Sequence, residues 1–166
     1  MNREPVSRAA PSVLFVCLGN ICRSPLAEAA LRQVAEARGI AIRVNSAGTG
    51  DWHVGSAPDP RARAEAKARG IDISGYRARQ VRAADFDDYD HVVALDAKNL
   101  ADLREIRPAG GGARLSLLLD HVPGREGQGV IDPYFGDADG FAATWEEVQA
   151  AAEAIADLLT AATERA

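Results

Sequence analysis

The stretch VLFVCLGNICRSPLAEAAL, Val13 to Leu31, decides how this chain is read. It begins as an unbroken apolar run, turns through a short polar loop and leaves with the composition of a helix. A run of that length and character is typical of a strand buried on both faces of a parallel sheet. Ser24-Pro25 then opens a helix, Ser as N-cap and Pro at the first helical position. Cys17 stands where the strand ends, and Arg23 follows six residues later. A loop climbing from a strand into a helix N-terminus turns several backbone N–H groups into one concavity, and the helix end adds partial positive charge. Gly19 permits close backbone approach, and Asn20 tolerates the left-handed region while its amide ties the loop. Arg23 offers a planar fork able to fold back over the cradle and take two oxygens of a phosphate. At the floor of such a nest a thiol is pushed toward thiolate, a nucleophile aimed at phosphorus.

Outward from this stretch, strand and helix signals alternate. The first strand is expected at Ser12–Cys17, followed by a helix to about Arg38 that Gly39 stops. A second strand is expected at Ile40–Val44 and a Gly- and Ser-rich loop over residues 45–58. A helix opens at Asp59-Pro60 and ends at Gly70. A third strand is expected at Asp90–Asp96, a helix at Ala97–Ile106 and a fourth strand at Ala113–Leu119, with Ala109–Ala113 as a turn. A long loop over Asp120–Gly140 leads to a last helix at about Phe141–Thr163. This order predicts an α/β three-layer sandwich: a four-stranded parallel sheet, helices on both faces and a phosphate-binding loop after the first strand. Ligands in such sheets bind beyond the carboxyl ends of the strands, where Cys17 lies.

Bulk properties narrow the function. The 166 residues, 47% hydrophobic and 26% charged, suit one globular domain. Residues 1–11 read as a flexible tail and 12–166 as the domain. A net charge of −5 argues against general nucleic-acid binding. The two cysteines, Cys17 and Cys22, are too few for a secreted disulfide scaffold and suit a reduced, cytoplasmic protein. No run approaches the roughly 18 apolar residues of a membrane span. No dinucleotide or nucleoside-triphosphate glycine motif and no metal-ligand spacing is present, so neither cofactor nor metal is expected.

The segment VCLGNICRSP resembles the phosphate-binding loop of the low-molecular-weight protein tyrosine phosphatases. Further segments extend the resemblance over nearly the whole chain: NSAGTGDWHVG, DISGYRARQV, HVVALDAKNL and DPYFGD. It implies a protein tyrosine phosphatase acting on tyrosine-phosphorylated proteins and small aryl phosphates through a phosphocysteine on Cys17. Arg23 and residues Leu18, Gly19, Asn20, Ile21, Cys22 and Ser24 would hold the phosphate. Asp132, stiffened by Pro133, matches the family's general acid, protonating the leaving phenolate and then activating water. Asp137 and Asp139 are assigned to surface or to capping of the last helix. Ser24 would also set a hydroxyl near the thiolate, and Asn20 and Ser46 resemble a pair that braces the loop. Tyr76 stands where the family often has His, so one strut of that bracing differs. Trp52, Tyr134 and Phe135 would wall a deep slot that suits phosphotyrosine, and His53 is expected to face water. Tyr134 is itself a phosphorylation candidate by resemblance. Cys22 reads either as a small buried hydrophobe or as a redox partner of Cys17.

Rivals on the same scaffold are weaker. An arsenate reductase needs further cysteines downstream, and none follows Cys22. A related phosphoarginine phosphatase branch carries Thr where this chain has Ile21. A non-catalytic phosphotyrosine-binding module is expected to have lost the nucleophile or the acid, and both are present. Inorganic phosphate and other oxyanions are expected to compete with substrate, and the enzyme is expected to act as a monomer.

Overall fold

Every residue of β1 (Ser12–Cys17) is buried, and its alternation defines the two faces of the sheet. Val13, Phe15 and Cys17 enter one hydrophobic cluster, Leu14 and Val16 the other, as the two-residue period of a strand requires. A computed structural model of the chain describes residues 10–165, with side chains as far as residue 162. After β1 come α1 (Arg23–Arg38), β2 (Arg43–Gly48), α2 (Pro60–Ala68), α3 (Asp85–Asp88), β3 (His91–Ala94), α4 (Ala97–Ile106), β4 (Arg114–Leu117) and α5 (Ala138–Arg165). Single 3₁₀ turns occupy Leu118–His121 and Pro133–Phe135. The four strands are parallel, in the order β2-β1-β3-β4. Residues of α1, α2 and α5 share the cluster of Val13 and Phe15, while α3 and α4 cover Leu14 and Val16. The expected three-layer α/β fold is the fold observed.

The strand order places the site. From β1 the chain steps to β2 on one side, then crosses back to β3 on the other. The connections leaving β1 and β3 diverge, so a crevice opens beyond the carboxyl ends of these two strands. Cys17 closes β1, and Asp96 follows β3 by two residues.

Several boundaries differ from the sequence reading. β2 lies at Arg43–Gly48, not Ile40–Val44. Cross-strand pairing from Ser12↔Arg43 to Cys17↔Gly48 draws Asn45–Gly48 into the sheet despite its loop-like composition, while Ile40 and Ile42 pack at the edge of the core. β3 and β4 are each shorter than expected, and Leu118 and Leu119 leave the sheet as a buried 3₁₀ turn. α5 begins at Ala138, three residues before Phe141. The short α3 had no counterpart in the sequence reading. Gly39 does stop α1, at φ 69° and ψ 29°. Residues 1–9 of the expected tail lie outside the described residues. The Pro11 carbonyl already accepts from Arg43 N–H at 2.9 Å.

Candidate active site

The loop after β1 is built around its own polar atoms. Asn20 sits at φ 59°, the left-handed conformation expected of it. Its backbone N–H points at Cys17 Sγ, 3.3 Å away. Its side-chain amide donates to Ser24 Oγ at 2.8 Å and to Ser46 Oγ at 3.0 Å, while Asn20 Oδ1 accepts from Arg79 N–H at 3.0 Å. Ser24 Oγ therefore keeps its own proton for Cys17 Sγ, at 3.0 Å, or for the Ala47 carbonyl, at 3.4 Å. Ser46 Oγ in turn donates to Glu28 Oε1 at 2.7 Å, and Glu28 Oε2 pairs with Arg32 at 2.8 Å. Asn20, Ser24, Glu28 and Ser46 are all buried, so each polar atom needs the partner it has. Tyr76 lies near Glu28 and Arg32, and Arg32 itself bonds Glu28 and the Val44 carbonyl. Burial, then the Glu28 charge, raises the Tyr76 pKa above the ordinary phenol value.

Ser24 is a correction to the sequence reading. It does not cap α1; Cys22 occupies the N-cap position without a side-chain bond, and the helix begins at Arg23. Pro25 is then the third helical residue, still in the first turn, where no intrahelical N–H bond is lost. The hydroxyl is thereby released for Cys17.

Arg23 is anchored from distant parts of the chain. Its Nη1 donates to Asp96 Oδ2 at 2.6 Å and to the Val130 carbonyl at 2.8 Å. Its Nη2 lies 3.6 Å from Asp132 Oδ2. Burial works against this charge, but Cys17, then the Asp96 hydrogen bond and charge, then Asp132, outweigh it and raise the Arg23 pKa above the usual guanidinium value. Asp96 was missed in the sequence reading, where it only ended a strand. Its other oxygen accepts from Asn99 N–H at 2.8 Å and caps α4. The signal was an Asp opening a helical segment in DAKNL.

Asp132 stands at the mouth of the same crevice. Its Oδ1 accepts from Tyr134 N–H at 3.0 Å and caps the turn that Pro133 begins. A cavity of about 160 Å³ is lined by Cys17, Arg23, Asp132 and the walls Trp52, Tyr134 and Phe135, together with Leu18, Gly19, Ile21 and Cys22. Cys17 is only 3% exposed at its floor, whereas Trp52 is 70% and Phe135 89% exposed at the rim. Tyr134 and Phe135 meet edge to face, with centroids 5.0 Å apart. His53, expected to face water, instead lines this cavity, because its ring closes over Gly19. Asp137 accepts from Asp139 N–H just before α5, so Asp137 is the capping residue of the two and Asp139 lies in the first turn. Cys22 is buried and, like Cys17, carries a free thiol. Burial foremost, then the Asp59 charge, pushes the Cys22 thiol far above its ordinary range.

The fold is an α/β sheet whose first strand ends in a loop that brings a thiol and a guanidinium to one cavity, the arrangement of a phosphatase-type α/β protein. Comparison with known proteins agrees. The family described as low molecular weight phosphotyrosine protein phosphatase matches residues 12–165. A low molecular weight phosphotyrosine protein phosphatase of Schizosaccharomyces pombe is 42% identical over 132 residues, covering 78% of this chain and 84% of that protein. The low molecular weight protein-tyrosine-phosphatase YfkJ of Bacillus subtilis is 43% identical over 126 residues, covering 75% and 81%. Its crystal structure superposes with a TM-score of 0.84 at 37% identity, over 91% of this chain and 95% of that one. A protein tyrosine phosphatase from Entamoeba histolytica gives a TM-score of 0.87 at 31% identity, covering 93% and 99%. The chain belongs to the low molecular weight phosphotyrosine protein phosphatase family.

Proposed function

We propose that this enzyme hydrolyses phosphotyrosine, in proteins and as small aryl phosphates, through a phosphocysteine on Cys17. The observation that carries this reading is the position of Cys17 Sγ. It lies at the floor of the cavity, 3.0 Å from Ser24 Oγ and 3.3 Å from Asn20 N, beneath a rim that includes Asp132. The Cys17 thiolate attacks phosphorus, forming an S–P bond as the bond from phosphorus to the phenolic oxygen breaks. The loop N–H groups and the Arg23 fork hold the phosphoryl oxygens and spread the developing charge. Asp132, as the acid, gives its proton to the leaving phenolate. As carboxylate it then takes a proton from the water that attacks phosphorus, and the S–P bond breaks to return thiolate and release phosphate. The Ser24 hydroxyl stabilises the departing sulfur.

Depth supports tyrosine over serine. The thiol sits below aromatic walls, and a phosphoserine is too short to carry its phosphate past them. Ile21 in the cavity lining supports tyrosine over phosphoarginine. The proposed chemistry uses side chains alone, without metal or cofactor. The same reading has the enzyme working as a cytoplasmic monomer, inhibited competitively by phosphate and similar oxyanions; among the described residues no helix is long and apolar enough to cross a membrane. The test is to quench turnover of a phosphotyrosine peptide with acid, in excess chelator, and map the trapped phosphate by mass spectrometry. Phosphate on Cys17, with much slower turnover of matched phosphoserine and phosphoarginine peptides, is expected. Loss of activity in chelator, or no modified Cys17, overturns the mechanism; equal rates on all three peptides overturn the role of the walls.

A further inference from the structure

Arg61 makes a set of contacts that the chemistry above leaves unused. It is the second residue of α2, and it faces the segment that carries Asp132. Its Nη1 donates to the Gly136 carbonyl and its Nη2 to the Tyr134 carbonyl, both at 3.0 Å. Its Nε and Nη2 also donate to the two oxygens of Asp59, at 3.0 and 2.9 Å. The guanidinium carbon lies 4.7 Å from the centre of the Phe141 ring and 5.7 Å from that of Tyr134. Asp59 is buried, and its backbone N–H donates to the Ile21 carbonyl at 2.9 Å. One side chain thus joins the phosphate loop, through Asp59, to the turn that begins at Asp132.

From this geometry we infer that Arg61 is a positioning residue for the general acid, latching the Asp132–Gly136 turn at a set distance from the phosphate loop. The inference rests on Asp132 being the acid. Both ends of the latch are fixed. Asp59 takes the guanidinium in a two-oxygen fork, the geometry at which Arg excels. The turn's other ties include the buried Pro133 and the Asp132–Arg23 pair at 3.6 Å, while Phe135 is almost wholly exposed and Tyr134 is 40% exposed. Without the latch the turn loses two backbone anchors and the acid is held less closely, and an ångström of misplacement is enough to lower a rate by up to about a hundredfold.

An acid matters only when the leaving oxygen is basic. Phenyl phosphate needs the proton; dinitrophenyl phosphate leaves without it. The experiment compares kcat/KM on these two substrates for wild type, Arg61→Ala, Arg61→Lys, Asp132→Ala and the double variant Arg61→Ala/Asp132→Ala. For Arg61→Ala, phenyl phosphate turnover is expected to fall by about tenfold to a hundredfold, with dinitrophenyl phosphate nearly unchanged. Lys, with a single point of charge, restores the phenyl rate only in part. In the double variant the loss equals that of Asp132→Ala alone, because Arg61 acts through Asp132. A loss shared equally by both substrates, or a double variant with additive losses, overturns the inference and leaves Asp132 as the acid. If Asp132→Ala itself shows no preference for the better leaving group, both the acid assignment and the latch fall. Should Arg61→Ala not fold, Arg61→Lys carries the same comparison: a phenyl rate equal to wild type then overturns the latch.

Discussion

Two loops meet at the cavity, and they are built in opposite ways. The phosphate loop, from Cys17 to Ser24, is mostly buried and held by bonds among its own residues and β2. The acid loop, around Ile131–Gly136, is largely exposed and held by Arg61, by the Asp132–Arg23 pair and by the ends of its own turn. The difference fits the tasks proposed for them. An oxyanion cradle gains most from donors fixed before the substrate arrives. A proton donor at the mouth must meet a leaving group that enters and departs, so it sits on the accessible side. Buried polar bonds are costly to disturb, whereas exposed ones are readily exchanged for water.

The widest separation between the loops is expected from their central residues. Cys17→Ser should lower kcat on phosphotyrosine peptide by a factor on the order of 10⁶, while melting remains near wild type. Activity approaching wild type in that variant removes the thiol from the chemistry. Asp132→Ala should cost about a hundredfold to ten-thousandfold on phenyl phosphate and spare the affinity for inorganic phosphate. A large loss of phosphate affinity makes Asp132 part of the cradle and breaks the division between the loops.

Matched glycines sharpen the contrast. At Gly48 a Cβ would stand 2.7 Å from the Leu18 carbonyl, so Gly48→Ala must push the phosphate loop. We expect it to cost about 1–3 kcal/mol in denaturant unfolding and to weaken phosphate inhibition. At Gly136 the nearest atom is the Pro133 carbonyl at 3.6 Å, an ordinary contact. Gly136→Ala should leave stability and phosphate affinity near wild type. Equal responses at the two sites mean that the phosphate loop yields as easily as the acid loop.

The smallest effect concerns Cys22. Its buried thiol keeps its proton above the ordinary thiol range, chiefly through burial. The unfolded thiol loses its proton near about pH 8.5. Above that pH the unfolded chain binds fewer protons than the folded one, so stability falls as pH rises. Cys22→Ala should flatten this alkaline decline in unfolding experiments between about pH 8 and 10. An unchanged slope assigns the decline to other groups.

Local pattern carried far in this chain. The strand-loop-helix order, the position of Cys17, the left-handed Asn20 and the Gly39 stop all rest on residues adjacent in sequence. Asp59-Pro60 opened a helix as read, with Asp59 accepting from Arg61 N–H. Where composition misleads, a partner in the folded chain decides. Asn45–Gly48 has the composition of a loop but pairs with β1. Ser24 has the look of an N-cap, but Cys17 and Asn20 claim its hydroxyl.

From the sequence alone follow an α/β fold, a thiol at the end of its first strand and a short loop into a helix beside it, because these depend on strand and helix periods and on short loop geometry. Tertiary structure alone decided how Arg23 is held, by Asp96 and Val130, and how the acid loop is moored, by Arg61. Those contacts join residues 73 or more apart. Hydrogen bonds act over about 3 Å of space, whatever the distance along the chain, so only the folded chain shows which distant groups meet.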